Sequence, residues 1–244
     1  MILPMPKLAN LDRVVHQKLR VRDDVARSVC RDMTMCAVSL GEIPRLVIEY
    51  PLAFAKNPDN GEYVCVVLFG VEPTRNLFWR DDRWNSELLP LNIARQPLAV
   101  TAAAVEAGAG LVTCIDVENP GVQESAGERL FDDEGKETPY LRYKLSVLGE
   151  LVEGEQLARR FAARLNELGL IRPIQLELKA PGSEPRKITG LNSIDEPKLR
   201  ALDGATLAEL NANGYLHAIY AMLSSLAHLQ MMARRSGAAV PAAQ

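Results

Sequence analysis

Apolar positions along the chain switch between two spacings, and the switches mark its elements. Ser39-Leu40-Gly41-Glu42 has the form of a capping box, and Pro44 is tolerated in a helix's first turn, where its missing N–H has no intrahelical partner. Ile43, Leu46, Val47 and Tyr50 then recur at i, i+3, i+4 and i+7, which predicts a short amphipathic helix ended by Pro51. Residues 52–56 and 63–69 are apolar runs separated by Asn57-Pro58-Asp59-Asn60-Gly61, a turn cluster that predicts a hairpin. Its second strand is apolar on both faces, as expected in the middle of a covered sheet. Residues 111–115 read as another buried strand, whereas 118–137, with Gly121, Gly127, Gly135 and the acids Asp132, Asp133 and Glu134, read as a long loop.

Helical spacing returns near Thr138-Pro139 and continues over 150–168, with Leu157, Phe161, Leu165 and Leu168 on one stripe and Gly169 as C-cap. Residues 174–178 alternate as a half-exposed strand, 180–185 form a turn or hinge, and 186–191 return as a strand. Residues 203–235 are helical, with a kink at Asn213-Gly214. Near the start, Leu19, Val21 and Val25 alternate among charges, which fits either a short strand or an extended arm. These elements predict an α+β fold: a mixed or mainly antiparallel central sheet with a hairpin, covered by helices that include a long C-terminal one. The expected division is an N-terminal arm at 1–38, a body at 39–235 and a flexible tail at 236–244.

Composition narrows the function classes. The chain has 244 residues, 48% of them hydrophobic and 24% charged, which is enough to bury a substantial core without staples. A net charge of -3, with no basic block, argues against nucleic acid as a partner. No window reaches the ~18 to 20 uninterrupted apolar residues of a membrane span; the last helix itself is interrupted by His217, Ser224, Ser225, His228 and Gln230. The start, with Pro4 and Pro6, lacks the features of a secretory signal, so a cytoplasmic location is expected. Cys30, Cys36, Cys65 and Cys114 are spaced too irregularly for a metal framework. Cys65 and Cys114 read as buried small hydrophobes in a reducing compartment, whereas the more polar setting of Cys30 and Cys36 leaves a redox role open. Neither a metal nor a cofactor is expected.

Three constellations bear on chemistry. His217 and His228 share a helix face but stand about 16 Å apart at ~1.5 Å per residue, too far to hold one ion. Asp116, with Glu118 two positions on, stands where many α/β enzymes place a working carboxylate, and also where an aspartate caps a turn. Phe78, Trp79 and Trp84 interleave with Arg75, Arg80 and Arg83, a composition enriched at interfaces and equally suited to a satellite core. Arg159, Arg160 and Arg164 fit a solvated helix face. There is no glycine-rich phosphate loop, nucleophile elbow, two-histidine-carboxylate spacing or CxxC.

Several segments together resemble one family. Tyr50-Pro51-Leu52-Ala53-Phe54-Ala55-Lys56, Asn76-Leu77-Phe78-Trp79 with Trp84, Cys114-Ile115-Asp116, Leu130-Phe131-Asp132-Asp133-Glu134-Gly135 with Thr138-Pro139-Tyr140-Leu141, and Ile194-Asp195-Glu196 onward look like the SapC family of bacterial proteins. The likeness covers about 39–235. Where that family has paired arginines followed by Pro-Phe, this chain reads Ala94-Arg95 and Pro97-Leu98, so Arg95 keeps half of whatever contact the pair makes. The resemblance implies a bacterial protein linked by name to surface-layer loci and implies no particular reaction.

Three readings follow. The first is a non-catalytic cytoplasmic binding or accessory protein that contacts a protein or peptide partner through Tyr50, Asn76, Trp79, Trp84 and Arg95, closed over by the 118–137 loop. The second is an enzyme with Asp116 as acid or base, His217 as its partner and Tyr50 nearby. The third is a structural protein of a surface layer.

Overall fold

The computed structural model describes residues 6–102, 110–174, 176–178 and 186–235. The turn expected at 180–185 and the tail at 236–244 lie outside the described residues. The chain forms two compact units, and the fold is α+β with antiparallel sheets and a long C-terminal helix.

The first unit comprises Met1–Asp32, Phe78–Asn85 and Leu91–Val152. Leu111–Asp116 is the middle strand of an antiparallel sheet, between Leu8–Asn10 and Leu98–Ala102, with Leu98 opposite Ile115. Arg20–Val21 is the middle of a second, smaller sheet, between Val122–Gln123 and Glu128–Arg129. The stretch expected to be one long loop is therefore tied down by two strand pairings that span about a hundred residues of sequence. Two glycines permit the close approach. A Cβ at Gly127 would lie 2.4 Å from the Val21 carbonyl oxygen, at φ +102°, and one at Gly121 would lie 2.5 Å from the Ala26 nitrogen. The Asn119 amide closes the turn, donating to the Ala26 carbonyl at 3.2 Å and accepting from Gly121 N–H at 2.9 Å.

Helix Pro139–Glu167 is continuous over 29 residues. Thr138 caps it by accepting from Leu141 N–H at 3.2 Å, and Pro139 follows at the position where a missing N–H costs nothing. Leu141 and Leu148 from its first turns join Val21, Leu98, Ile115 and Leu130 in the core of this unit.

The second unit comprises Met33–Leu77, Ser86–Pro90 and Glu153–Gln244. Its five-stranded sheet runs in the order Ile171–Pro173, Leu191–Ile194, Leu52–Lys56, Tyr63–Leu68, Met35–Ala37, with every pairing antiparallel. The predicted hairpin is present, with Leu52 opposite Val67 and Lys56 opposite Tyr63, and its second strand has a neighbour on both sides. The capping box also forms: the Glu42 carboxylate accepts from Ser39 N–H at 2.9 Å and from Ser39 Oγ–H at 3.0 Å. The helix after it is Ile43–Leu46, shorter than the spacing predicted.

Gly169, at φ +63°, ends the long helix as expected: Leu170 N–H donates to Leu165 O at 2.9 Å and Gly169 N–H to Asn166 O at 3.0 Å. The expected kink at Gly214 is a break between helices Gly204–Ala212 and Tyr215–Arg235. Asp203 caps the former through Thr206 N–H at 2.9 Å. Ser225 in the latter accepts from Leu52 N–H at 3.0 Å, and His228 Nε2 lies 3.0 Å from Val47 O, so polar contacts fix this helix to the start of the hairpin. No helix among the described residues is long and apolar enough to cross a membrane.

Candidate functional site

The aromatic-cationic segment folds as a short hairpin in the first unit. Trp79–Arg80 pairs antiparallel with Arg83–Trp84 across a two-residue turn, and Asn85 N–H donates to Phe78 O at 2.7 Å. Asp81 and Asp82 both adopt positive φ, 51° and 54°. A two-residue turn whose twist matches the strands needs this at both central positions, and aspartate tolerates it better than most residues.

Register then sorts the side chains. Trp79 stands opposite Trp84 and Arg80 opposite Arg83, and strand alternation sends the two pairs to opposite faces. The strand Arg83–Trp84 packs on the turn Arg27–Cys30 and the short helix Asp23–Ala26. Trp84 stacks on buried Phe78 with centroids 6.3 Å apart and planes at 16°. The Trp79 Nε1 atom is buried and has no acceptor among the described residues. Both tryptophans are half-buried, whereas Arg80 and Arg83 are exposed. The indoles therefore seat the hairpin and the guanidiniums face outward. Among the described residues neither Arg80 nor Arg83 meets a carboxylate; Arg31 instead pairs with Asp82 at 2.9 Å.

Beside the hairpin's seat lies a buried ionic network. The Lys144 side chain is 0% exposed and donates to Ala94 O at 2.6 Å, Gln96 O at 2.8 Å and Asp23 Oδ1 at 2.8 Å. Three acceptors match the three donors of an ammonium. Burial pulls the lysine's pKa down, and the Asp23 carboxylate opposes that pull. Asp23 also receives Tyr140 OH at 2.6 Å and Arg27 Nη2 at 2.8 Å. Burial and the Asp23 contact push the Tyr140 phenol well above its usual range. The network fixes the backbone on both sides of Arg95, whose guanidinium donates to Asn92 Oδ1 at 3.0 Å and Leu98 O at 2.6 Å. Sequence reasoning missed Lys144, although a signal existed: a lysine inside the apolar helix stripe Leu141, Lys144, Leu148 must find buried partners.

The remaining sequence candidates are dispersed. Tyr50, in the second unit, is fully buried; its hydroxyl is 2.7 Å from both Ser86 Oγ and Leu88 O, and its ring meets Phe69 edge-on at 5.9 Å. Ser86 Oγ in turn donates to Glu49. Asn76 is buried in the same unit. Asp116, in the first unit, accepts from Lys7 N–H at 3.0 Å and Glu118 N–H at 3.3 Å, the contacts of a turn-capping aspartate. His217 is exposed on the C-terminal helix of the second unit. An open groove of about 870 Å³ in the first unit is floored by Leu11, Phe131 and Leu145, and none of the sequence-predicted residues lines it. Among the described residues no group of three or more His, Cys, Asp or Glu could hold a metal ion.

Cys30 lies buried in the turn beneath the hairpin. Burial pushes its thiol up to about 11, against the pull of the Arg95 and Arg27 charges. Such a thiol stays protonated at neutral pH and is a poor nucleophile. From about pH 9 upward the unfolded chain loses this proton while the folded chain keeps it, so stability falls as pH rises. A shift from 9.0 to about 11, at about 1.4 kcal/mol per pH unit, makes that loss roughly 3 kcal/mol. Urea unfolding of wild type and Cys30→Ala from pH 7 to 11 is expected to show a steeper alkaline loss in the wild type; parallel curves would contradict it.

Neither the curated proteins nor the solved structures offer a match to this chain. A family model described as SapC matches residues 11–232, a span that includes the hairpin, the Lys144 network and the whole five-stranded sheet. On that match over most of its length, the chain belongs to the SapC family.

Proposed function

We propose that this protein is a non-catalytic binding or accessory protein of the cytoplasm that contacts a protein or peptide partner through the Trp79–Trp84 hairpin of its first unit. The observation that carries this reading is the sorting of the hairpin's side chains. The half-buried Trp84, stacked on buried Phe78, holds a two-residue tip in place, and beside the tip stand two exposed guanidiniums with no carboxylate partner among the described residues. Rigid aromatics and arginine are the residue types that dominate interface energetics, and a preorganised tip loses little conformational entropy on binding. Arg95 belongs to this reading as the residue that shapes the 92–98 turn. The committed hydroxyl of Tyr50 favours a packing role for that residue instead.

The test is a pull-down from lysate with the full chain, comparing wild type with Trp84→Ala, which removes the stack on Phe78. A partner recovered by wild type is expected to be missing from the variant while far-UV circular dichroism stays the same. Equal recovery by both proteins would remove the hairpin from the contact.

A further inference from the structure

Arg80 and Arg83 stand directly opposite each other on one face of the hairpin, exposed, with no carboxylate against either among the described residues. Like charges placed opposite on paired strands destabilise the pairing, and a residue of the other sign at either position would turn repulsion into attraction. Among the described residues Asp82 pairs with Arg31 at 2.9 Å, and Asp81 makes no ion pair with either arginine. A local rule broken without internal compensation is expected where the compensation comes from a ligand.

We infer that Arg80 and Arg83 together receive an acidic segment of a partner protein, with side-chain carboxylates bound between the two guanidiniums; this rests on the reading of the hairpin as the contact surface. Opposed Cβ atoms on a strand pair lie about 5 Å apart, so two planar forks at that spacing grip one carboxylate or two adjacent ones. Asp81 and Asp82 stand between the two arginines in the sequence, so positive charge at the tip is confined to the two forks, enough for separate carboxylates on a peptide and too little for a continuous phosphate backbone or an anionic lipid surface.

Both tryptophans of the chain lie in this hairpin, so intrinsic fluorescence reports on the site directly. Purified full-length protein would be titrated with a Glu-Ser repeat peptide, a Lys-Ser repeat peptide, a single-stranded oligonucleotide and phosphatidylserine vesicles. The Glu-Ser peptide is expected to give a saturable change that weakens as salt is added. In Arg83→Glu that affinity is expected to drop about tenfold or more, while the melting temperature holds or rises because the opposed charges now attract. No response to the acidic peptide, an equal response in Arg83→Glu, or tighter binding of the Lys-Ser peptide, the oligonucleotide or the vesicles would each overturn the inference. The two levels separate cleanly. A lysate partner lost by Trp84→Ala but kept by Arg83→Glu leaves the hairpin contact standing and removes its acidic chemistry, whereas a partner kept by both variants removes both.

Discussion

Lys144→Met is expected to destabilise the first unit by about 3 kcal/mol or more, because removing one member of a buried ionic network leaves its partners desolvated and unpaired. The ammonium serves Ala94 O, Gln96 O and Asp23 Oδ1 at once. Methionine has nearly the same length and removes all three donors without opening a large cavity. Asp23 keeps Tyr140 and Arg27, which limits the damage at the carboxylate; the two backbone carbonyls lose the ammonium's hydrogen bonds. Lys144→Arg is not expected to rescue, since a planar guanidinium cannot reproduce three convergent contacts in a site with no exposure. Urea unfolding followed by tryptophan fluorescence measures this, because both tryptophans belong to the first unit. A loss under about 1 kcal/mol would mean that the lysine is not held as the distances indicate.

Phe161→Ala is expected to cost about 3–5 kcal/mol in the second unit, the usual range for deleting a buried aromatic ring. The ring lies between Phe54 of the hairpin, at 5.9 Å, and Tyr215 at the start of the C-terminal helix, at 5.2 Å, and has no exposure. Its loss opens a cavity shared by the sheet and two helices, which a closely packed interior does not readily fill. Phe161→Leu is expected to recover a large part of the loss by refilling volume. Far-UV circular dichroism in urea is the appropriate readout. An alanine variant as stable as the wild type would show that the aromatic cluster contributes little beyond shape.

These two residues differ in how visible they were beforehand. Phe161 sits in a stripe with Leu157, Leu165 and Leu168, and helical spacing alone assigns it to a core. Lys144 is a charged residue, and its burial follows from Asp23 and from the Ala94 and Gln96 carbonyls 50 and 48 residues away. No local pattern specifies such partners. The tryptophan hairpin lies between these cases: its composition marked it as an aromatic-arginine cluster, but only the pairing register showed that indoles and guanidiniums take opposite faces.

The sequence by itself determined the features whose causes act within a few residues. The Ser39 and Glu42 capping box, the turn at 57–61 and the strands it joins, the Gly169 C-cap and the break at Gly214 all depend on local dihedral preference or on a cap three positions away. The tertiary structure alone decided that 118–137 is clamped onto Arg20–Val21, that Asp116 caps a turn, that Tyr50 is sealed inside the second unit and that Lys144 is an internal ammonium. In each case partners come from far along the chain: Lys7 for Asp116, Arg20–Val21 for 118–137, Ser86 and Leu88 for Tyr50, and Asp23, Ala94 and Gln96 for Lys144. Burying a polar group is tolerable only when distant groups supply its hydrogen bonds, and which distant groups do so is a property of the packed chain.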